Sequence, residues 1–416
     1  MTVQEFLNSS YTSYHATANV VNLLKTNGFV ELTHDGKAKK WNLERGGKYF
    51  VTRNGSSVIA FVIGKNNVFN LCESHTDSPS FKIKGVKLVE SDGAKRLNTE
   101  KYGGGLLYTY LDRPLKIAGR VIVETKNGVQ SKLVASDYNV VIPSLAIHHN
   151  PTANDSLSIN LQNDTLPMLA QSECDLYATL TDGKVLDADL YVVPDEKPFA
   201  SGVNGEFLSG PRIDNLTSVY TSIQAILNVK PQNIAIVACL DNEEIGSGTR
   251  QGSPNFIHQV LDAIAEGLGM TYAENLTARE NGMALSVDNG HAVHPAHPEK
   301  SDSLNRVRMN SGVVIKHHTN YATDGLTSAT LKSLLDIAGV QYQDYYNRSD
   351  VRCGTTLGLS TANRTGMKVC DIGIAQLAMH SACETCGIHD IDTMQKALTA
   401  FLCANICGTD TITIKL

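Results

Sequence analysis

Four places in the chain put metal-binding or proton-carrying side chains straight after an apolar run. Residues 68–72 lead into Glu73-Ser74-His75-Thr76-Asp77, and residues 234–240 lead into Asp241-Asn242-Glu243-Glu244. Residues 283–287 are followed by Asp288-Asn289-Gly290-His291, and residues 368–374 are followed within a few positions by Met379-His380-Ser381. Taken singly, an acid after a strand is ordinarily a turn residue or a helix cap. Four together carry more weight, because open α/β sheets bind ligands at the carboxyl ends of their strands.

The spacing within these segments suggests a chemistry. His75 and Asp77 stand two apart, so a carboxylate can reach the second nitrogen of a metal-bound imidazole, a common arrangement for ligating histidines. Glu243 and Glu244 project in different directions from an irregular turn. One can hold a metal while the other takes a proton from its bound water, the division of labour in metal-assisted hydrolysis. Asp214, in Pro211-Arg212-Ile213-Asp214-Asn215, reads as an N-cap or, with its two oxygens, as a bridge between two ions.

Other motifs carry less. Gly246-Ser247-Gly248-Thr249-Arg250-Gln251-Gly252 lacks the Gly-Lys-Ser/Thr of a phosphate loop and is no Gly-x-Ser-x-Gly elbow, so it reads as a tight turn supporting Glu243 and Glu244. Tyr102-Gly103-Gly104-Gly105 permits a sharp turn or a close backbone approach. His291, His294 and His297 recur every third residue, but Pro295 and Pro298 exclude a helical ligand face. Cys383 and Cys386 have no second Cys-x-x-Cys to complete a thiolate site.

The elements that would position these residues alternate. Helical spacing over 14–28 places Ala16, Val20, Val21 and Leu24 on one face, with Gly28 as the stop. Strands are expected over 49–52, 57–63 and 68–72. From residue 210, helices at 215–227, 256–267, 329–338 and 394–403 alternate with buried strands at 233–240, 283–287 and 368–374. That order predicts an α/β fold around a central, mostly parallel sheet. Between them, 120–125 and 129–134 flank Asn127-Gly128 as a hairpin, and 190–193 reads as another strand, so a β-rich module is inserted in the main domain.

The 416 residues are 42% hydrophobic and 19% charged, which suits a folded chain with a sizeable core. A net charge of −6 speaks against a nucleic-acid partner. The longest apolar runs fall far short of the ~20 residues that span a bilayer, so no membrane partner is expected. Nine irregularly spaced cysteines and an opening Met1-Thr2-Val3-Gln4-Glu5 without a basic region ahead of an apolar stretch predict a cytoplasmic protein.

In order and spacing, Tyr14-His15-Ala16, Glu73-Ser74-His75-Thr76-Asp77-Ser78-Pro79, Tyr102-Gly103-Gly104-Gly105, Leu111-Asp112-Arg113 and Ile142-Pro143-Ser144-Leu145-Ala146-Ile147-His148 resemble the aspartyl aminopeptidase family of dinuclear zinc peptidases. So do Arg212-Ile213-Asp214-Asn215-Leu216, Asp241-Asn242-Glu243-Glu244-Ile245-Gly246-Ser247, Cys353-Gly354-Thr355-Thr356 and Gln376-Leu377-Ala378-Met379-His380-Ser381, so that the likeness covers nearly the whole chain. The resemblance implies two divalent metal ions, zinc first, with His75 and Asp288 on one and Glu244 and His380 on the other. It makes Asp214 the bridge, Glu243 the base, Asp77 the orienter of His75, and His148, His291, Lys316 and Tyr321 substrate-binding residues.

The implied activity is release of N-terminal Asp or Glu from peptides by attack of metal-activated water. A neutral-residue aminopeptidase or a dizinc deacylase is the alternative on the same site. A large oligomeric binding scaffold is a reading of another class, against which the presence of both Glu243 and Glu244 speaks. The family plan further implies a catalytic domain of residues 1–84 and 206–416 and an inserted β-rich dimerisation domain of residues 85–205. It also implies homo-oligomeric assembly as a tetrahedral dodecamer, with His148 reaching a neighbouring subunit's site.

Overall fold

The computed structural model describes residues 1–33 and 40–416. Nine strands form the central sheet, in the order Val30–Glu31, Lys48–Arg53, Ser57–Val62, Ile234–Leu240, Phe69–His75, Met283–Val287, Lys368–Gly373, Val313–His317 and Tyr342–Tyr346. The four strands from Ile234–Leu240 to Lys368–Gly373 run parallel. Antiparallel neighbours flank this block on both sides. The sheet is therefore mixed, and its parallel part coincides with the strands that lead into the chemistry.

Along Ile234–Leu240 the side chains alternate between two cores. Ala235, Val237 and Cys239 pack on one face, and Ile234, Ile236, Ala238 and Leu240 on the other. A strand covered on both faces has no position that prefers a polar residue, which is why the run is apolar without a break. Helices Ser13–Thr26, Ile213–Leu227, Gly325–Ala338 and Ile388–Cys403 contribute to the first core, and Asn255–Gly267 and Leu357–Thr365 to the second. Helix Ser13–Thr26 buries Ala16, Val20 and Leu24 one turn apart. Each fully buried leucine-sized side chain stabilises by about 1.5–3 kcal/mol. The chain leaves that helix through Gly28 at φ +79°, a conformation glycine adopts without steric cost.

A second sheet is wholly antiparallel, in the order Gly128–Val140, Leu115–Thr125, Val185–Pro194, Ser80–Ile83 and Thr99–Tyr102. Thr125 pairs with Gly128, so Lys126-Asn127 forms the two-residue loop, one position earlier than Asn-Gly would place it. Phe81, Ile117, Val121 and Val192 lie in this sheet's own core. Arg120 ties it to the main sheet: its guanidinium donates to the Asn54 carbonyl at 2.8 Å and to Asp189 at 2.8 Å. A third sheet joins Phe207–Gly210, Glu384–Gly387, Ala375–Leu377 and Gly290–His291, and so links the segments that follow two of the central strands. Among the described residues, no helix is long and apolar enough to cross a membrane.

Candidate active site

Register brings the strand ends level. His75 lies opposite Leu240, Ser286 opposite Glu73, and Val287 opposite Ile372. The residues that follow leave at one edge of the sheet, around a cavity of about 320 Å³. His75, Asp214, Glu243, Glu244, Asp288 and His380 all line it. His291, Lys316 and Tyr321 form further parts of its wall. Among the expected site residues, Asp77 sits just behind the cavity and His148 stands apart, exposed in the segment after strand Gly128–Val140.

Two groups of ligand atoms converge on Asp214: one made with His75 and Asp288, the other with Glu244 and His380. His75 Nε2 is 3.6 Å from Asp214 Oδ1 and 3.5 Å from Asp288 Oδ1. His380 Nε2 is 3.5 Å from both Asp214 Oδ2 and Glu244 Oε1. These gaps are too long for good hydrogen bonds. They match the ~3.3–3.6 Å between neighbouring ligand atoms of a tetrahedral ion with bonds of ~2.0–2.2 Å. Asp214 Oδ1 and Glu244 Oε1 are buried without a hydrogen-bond partner. Buried carboxylate oxygens are costly when unpaired, so nitrogen and oxygen donors at these separations fit zinc.

The electrostatics point the same way. Burial pushes the Glu244 carboxyl well above its ordinary range, and Asp214 and Asp77 push it further against the pull of the imidazoles. Burial also lifts Glu243 to about 7, with Asp288, Asp77 and Asp214 adding to the rise and His75 opposing it. Burial alone would depress His380, yet Asp214 and Glu244 lift it to about 10. Four carboxylates crowded on two imidazoles call for positive charge at their centre.

Local structure explains how the candidate ligands are held. His75 ends its strand, and its Nδ1 meets the Asp77 backbone carbonyl at 3.0 Å, with the Asp77 carboxylate at 3.5 Å. That carboxylate has other duties. It accepts from the Glu243 N–H at 3.1 Å, the Glu244 N–H at 3.2 Å and the Tyr102 hydroxyl at 2.7 Å. Asp77 thus orients His75 mainly through its backbone and fixes the glutamate turn with its side chain. Asn242, at φ +62°, begins that turn, and its side-chain carbonyl accepts from Thr249 and Gln251. The glycine-rich loop supports the two glutamates by this route.

Gly103 and Gly104 give the close approach. A Cβ on Gly103 would lie 3.1 Å from Glu244 Cβ, and one on Gly104 would lie 3.5 Å from His380 Nδ1. The His380 Nδ1 itself is 3.2 Å from the Gly104 carbonyl. Asp214 opens helix Ile213–Leu227 with non-helical dihedral angles, so it does not act as the side-chain cap of that helix.

Glu384 was not singled out from the sequence. Its carboxylate accepts from the Asp214 N–H at 2.9 Å and the His380 N–H at 2.7 Å, holding a ligand of each group from behind. Burial pushes it up to about 8. It follows no apolar run and opens a four-residue strand, so no sequence signal separates it from a surface acid.

Donors so arranged can hold a hydrolytic metal centre, and the molecule takes its place among the metalloproteases. More narrowly, it belongs to the M18 family: the family model described as Aminopeptidase I zinc metalloprotease (M18) matches residues 6–402. The chain is thus an M18 family aminopeptidase, a zinc-dependent hydrolase. The probable M18 family aminopeptidase 2 of Clostridium acetobutylicum is 37% identical over 421 residues, covering 95% of this chain and 96% of that protein. Its counterpart in Pseudomonas savastanoi pv. phaseolicola is 37% identical over 418 residues, with 95% and 96% covered. Among solved structures, the match in the complex of Ape4 and Nbr1 has a TM-score of 0.89 at 32% identity, covering 96% of this chain and 84% of that one. The S. cerevisiae mApe1 dodecamer matches with a TM-score of 0.81 at 26% identity, with 96% and 95% covered.

Proposed function

We propose that this aminopeptidase releases N-terminal residues, Asp and Glu in preference, from peptides, and that it works with two zinc ions. The observation that carries this reading is the sharing of Asp214 between two ligand groups. His75 and Asp288 would hold one ion, Glu244 and His380 the other, with Asp214 available to both. When bound, zinc supplies a Lewis acid and brings the pKa of water down towards ~7.

The protein's own part is positional. The acidic cleft receives the substrate's amino terminus. Glu243, raised by its surroundings, takes a proton from the attacking water and passes one to the leaving nitrogen. The Asp77 carboxylate keeps the Glu243 backbone in place during both transfers. Lys316 lies buried in the wall, donating to the Asn289 carbonyl at 2.8 Å, with Asp288 Oδ2 at 4.0 Å. An ammonium has three donors, and the Asn289 carbonyl takes one, so donors remain for an acidic first side chain, with Tyr321 and His291 beside it.

Residues 85–205 form the dimerisation module in this reading, and the assembly is a dodecamer, as in the mApe1 structure. His148 then enters a neighbouring subunit's cleft. A panel of peptides differing only in the first residue tests the preference. Asp and Glu peptides should be turned over fastest, and Lys316→Ala should cost them about 10- to 100-fold, the range of one charged hydrogen bond, and Leu peptides much less. A wild-type preference for Leu would favour the neutral-residue alternative, and turnover of N-acylated substrates the deacylase. Chelator treatment should abolish activity and zinc restore it.

A further inference from the structure

Beyond His291 and Tyr345, which it shares with the catalytic cleft, lies a second cavity of about 240 Å³. Its chemistry is the reverse of its neighbour's. His294, Lys300, Arg348 and Arg352 line it together with His291, and no Asp or Glu side chain does. Arg348 is committed elsewhere, to both oxygens of Asp350 and to the Glu299 carbonyl. Lys300 and Arg352 are exposed, and neither has an ion-pair or hydrogen-bond partner for its side chain among the described residues. In a chain of net charge −6, these two cations without a direct partner, facing one hollow beside an acidic cleft, form a local dipole, which the Glu299 and Asp350 carboxylates near Lys300 reduce and do not pair off. A peptide substrate carries the matching one: an ammonium at the end that reacts and a carboxylate on the part that leaves.

We propose that this cavity is a subsite for a carboxylate on the leaving part of the peptide, either the free C-terminus of a short peptide or an acidic side chain downstream of the scissile bond. The inference rests on reading the neighbouring acidic cleft as the catalytic site. Arg352 supplies a planar pair of donors suited to a carboxylate, and Lys300 a mobile point charge. The rim histidines His291 and His294 add polar contacts. Because the cations are exposed, salt weakens the effect.

Peptides that share their first residue test it on the zinc-loaded protein. One pair ends in a free carboxylate or an amide, and a second pair carries Asp or Asn two residues after the first. The carboxylate members should have kcat/KM about tenfold higher, mainly through KM, and the gap should narrow at high salt. In the Lys300→Ala, Arg352→Ala double variant the gap should vanish, while turnover of an aminoacyl p-nitroanilide, which carries no carboxylate, stays unchanged. No carboxylate preference in the wild type, or an equal loss on all four peptides, overturns the proposal. With the set made once with Asp first and once with Leu first, a loss confined to the Asp-first peptides reassigns the cavity to the first side chain. If no substrate at all is turned over, the catalytic reading has failed. Binding of an N-acetylated tripeptide acid against its amide, measured by calorimetry on wild type and double variant, then decides the subsite by itself: tighter binding of the acid only in the wild type supports it, and equal binding refutes it.

Discussion

Asp214 turns one carboxylate oxygen towards His75 and the other towards His380, at 3.6 and 3.5 Å. The two flanking histidines each serve one group only. His380→Ala should therefore lower zinc stoichiometry by one ion, whereas Asp214→Ala should empty both positions. Elemental analysis of the purified variants reads the difference, and an equal loss in the two would end the case for a shared ligand. Glu243 differs from its neighbour: it lines the cleft but belongs to neither ligand group. Glu243→Gln keeps the shape of the side chain and removes its basicity. Zinc content should stay at the wild-type level while kcat drops about 10²–10⁴-fold, the usual contribution of a general base. Asp77 shows why reading single residues has limits. The i, i+2 spacing from His75 points to one contact, while three of its hydrogen bonds go to partners 25 or more residues away, which spacing cannot reveal.

The elements most legible in the sequence are those whose environment is uniform. Strand Ile234–Leu240 is buried throughout, and its apolar run marks its ends to within a residue. Tyr342–Tyr346, at the sheet edge, buries one residue of five, so its Tyr-Gln-Asp-Tyr-Tyr has no pattern to read. Val313–His317, which pairs with it, follows the Asn310-Ser311-Gly312 turn, but its short Val-Val-Ile run ends at once in Lys316-His317 and does not stand out as a strand. The loops were legible only where glycine forces the geometry. Gly103 sits at φ +73° with Glu244 Cβ 3.1 Å from where its own Cβ would be. Gly103→Ala adds backbone strain of about 1–2 kcal/mol and displaces Glu244. The variant should fold, yet need a higher free zinc concentration for half-maximal activity. A zinc titration indistinguishable from wild type would show that Glu244 can yield without loss.

At the scale of the molecule, His148 is exposed and is not among the residues that line the cleft of its own chain. If it completes a neighbour's site, His148→Ala and Glu243→Gln proteins should each be nearly inactive. Dissociated, mixed and reassembled, they should recover part of the turnover, while mixtures no better than either parent would confine every site to one subunit. The sheet order has a further consequence, in time. Phe69–His75 is flanked by Ile234–Leu240 and Met283–Val287, so the strand that ends in His75 meets its partners only after more than half the chain has been made. Roughly 300 residues separate His75 from His380, which at a synthesis rate of ~5–20 residues per second is a wait of roughly 15–60 s. Until Ile234–Leu240 has been made, for a little over half of that wait, the strand Phe69–His75, with Phe69, Leu71 and Cys72 on it, stands on the growing chain with both edges unpaired, and Met283–Val287 closes the second edge only later. The same topology that gathers the donors at one edge makes the nascent chain, before it can bind a single ion, a client for chaperones.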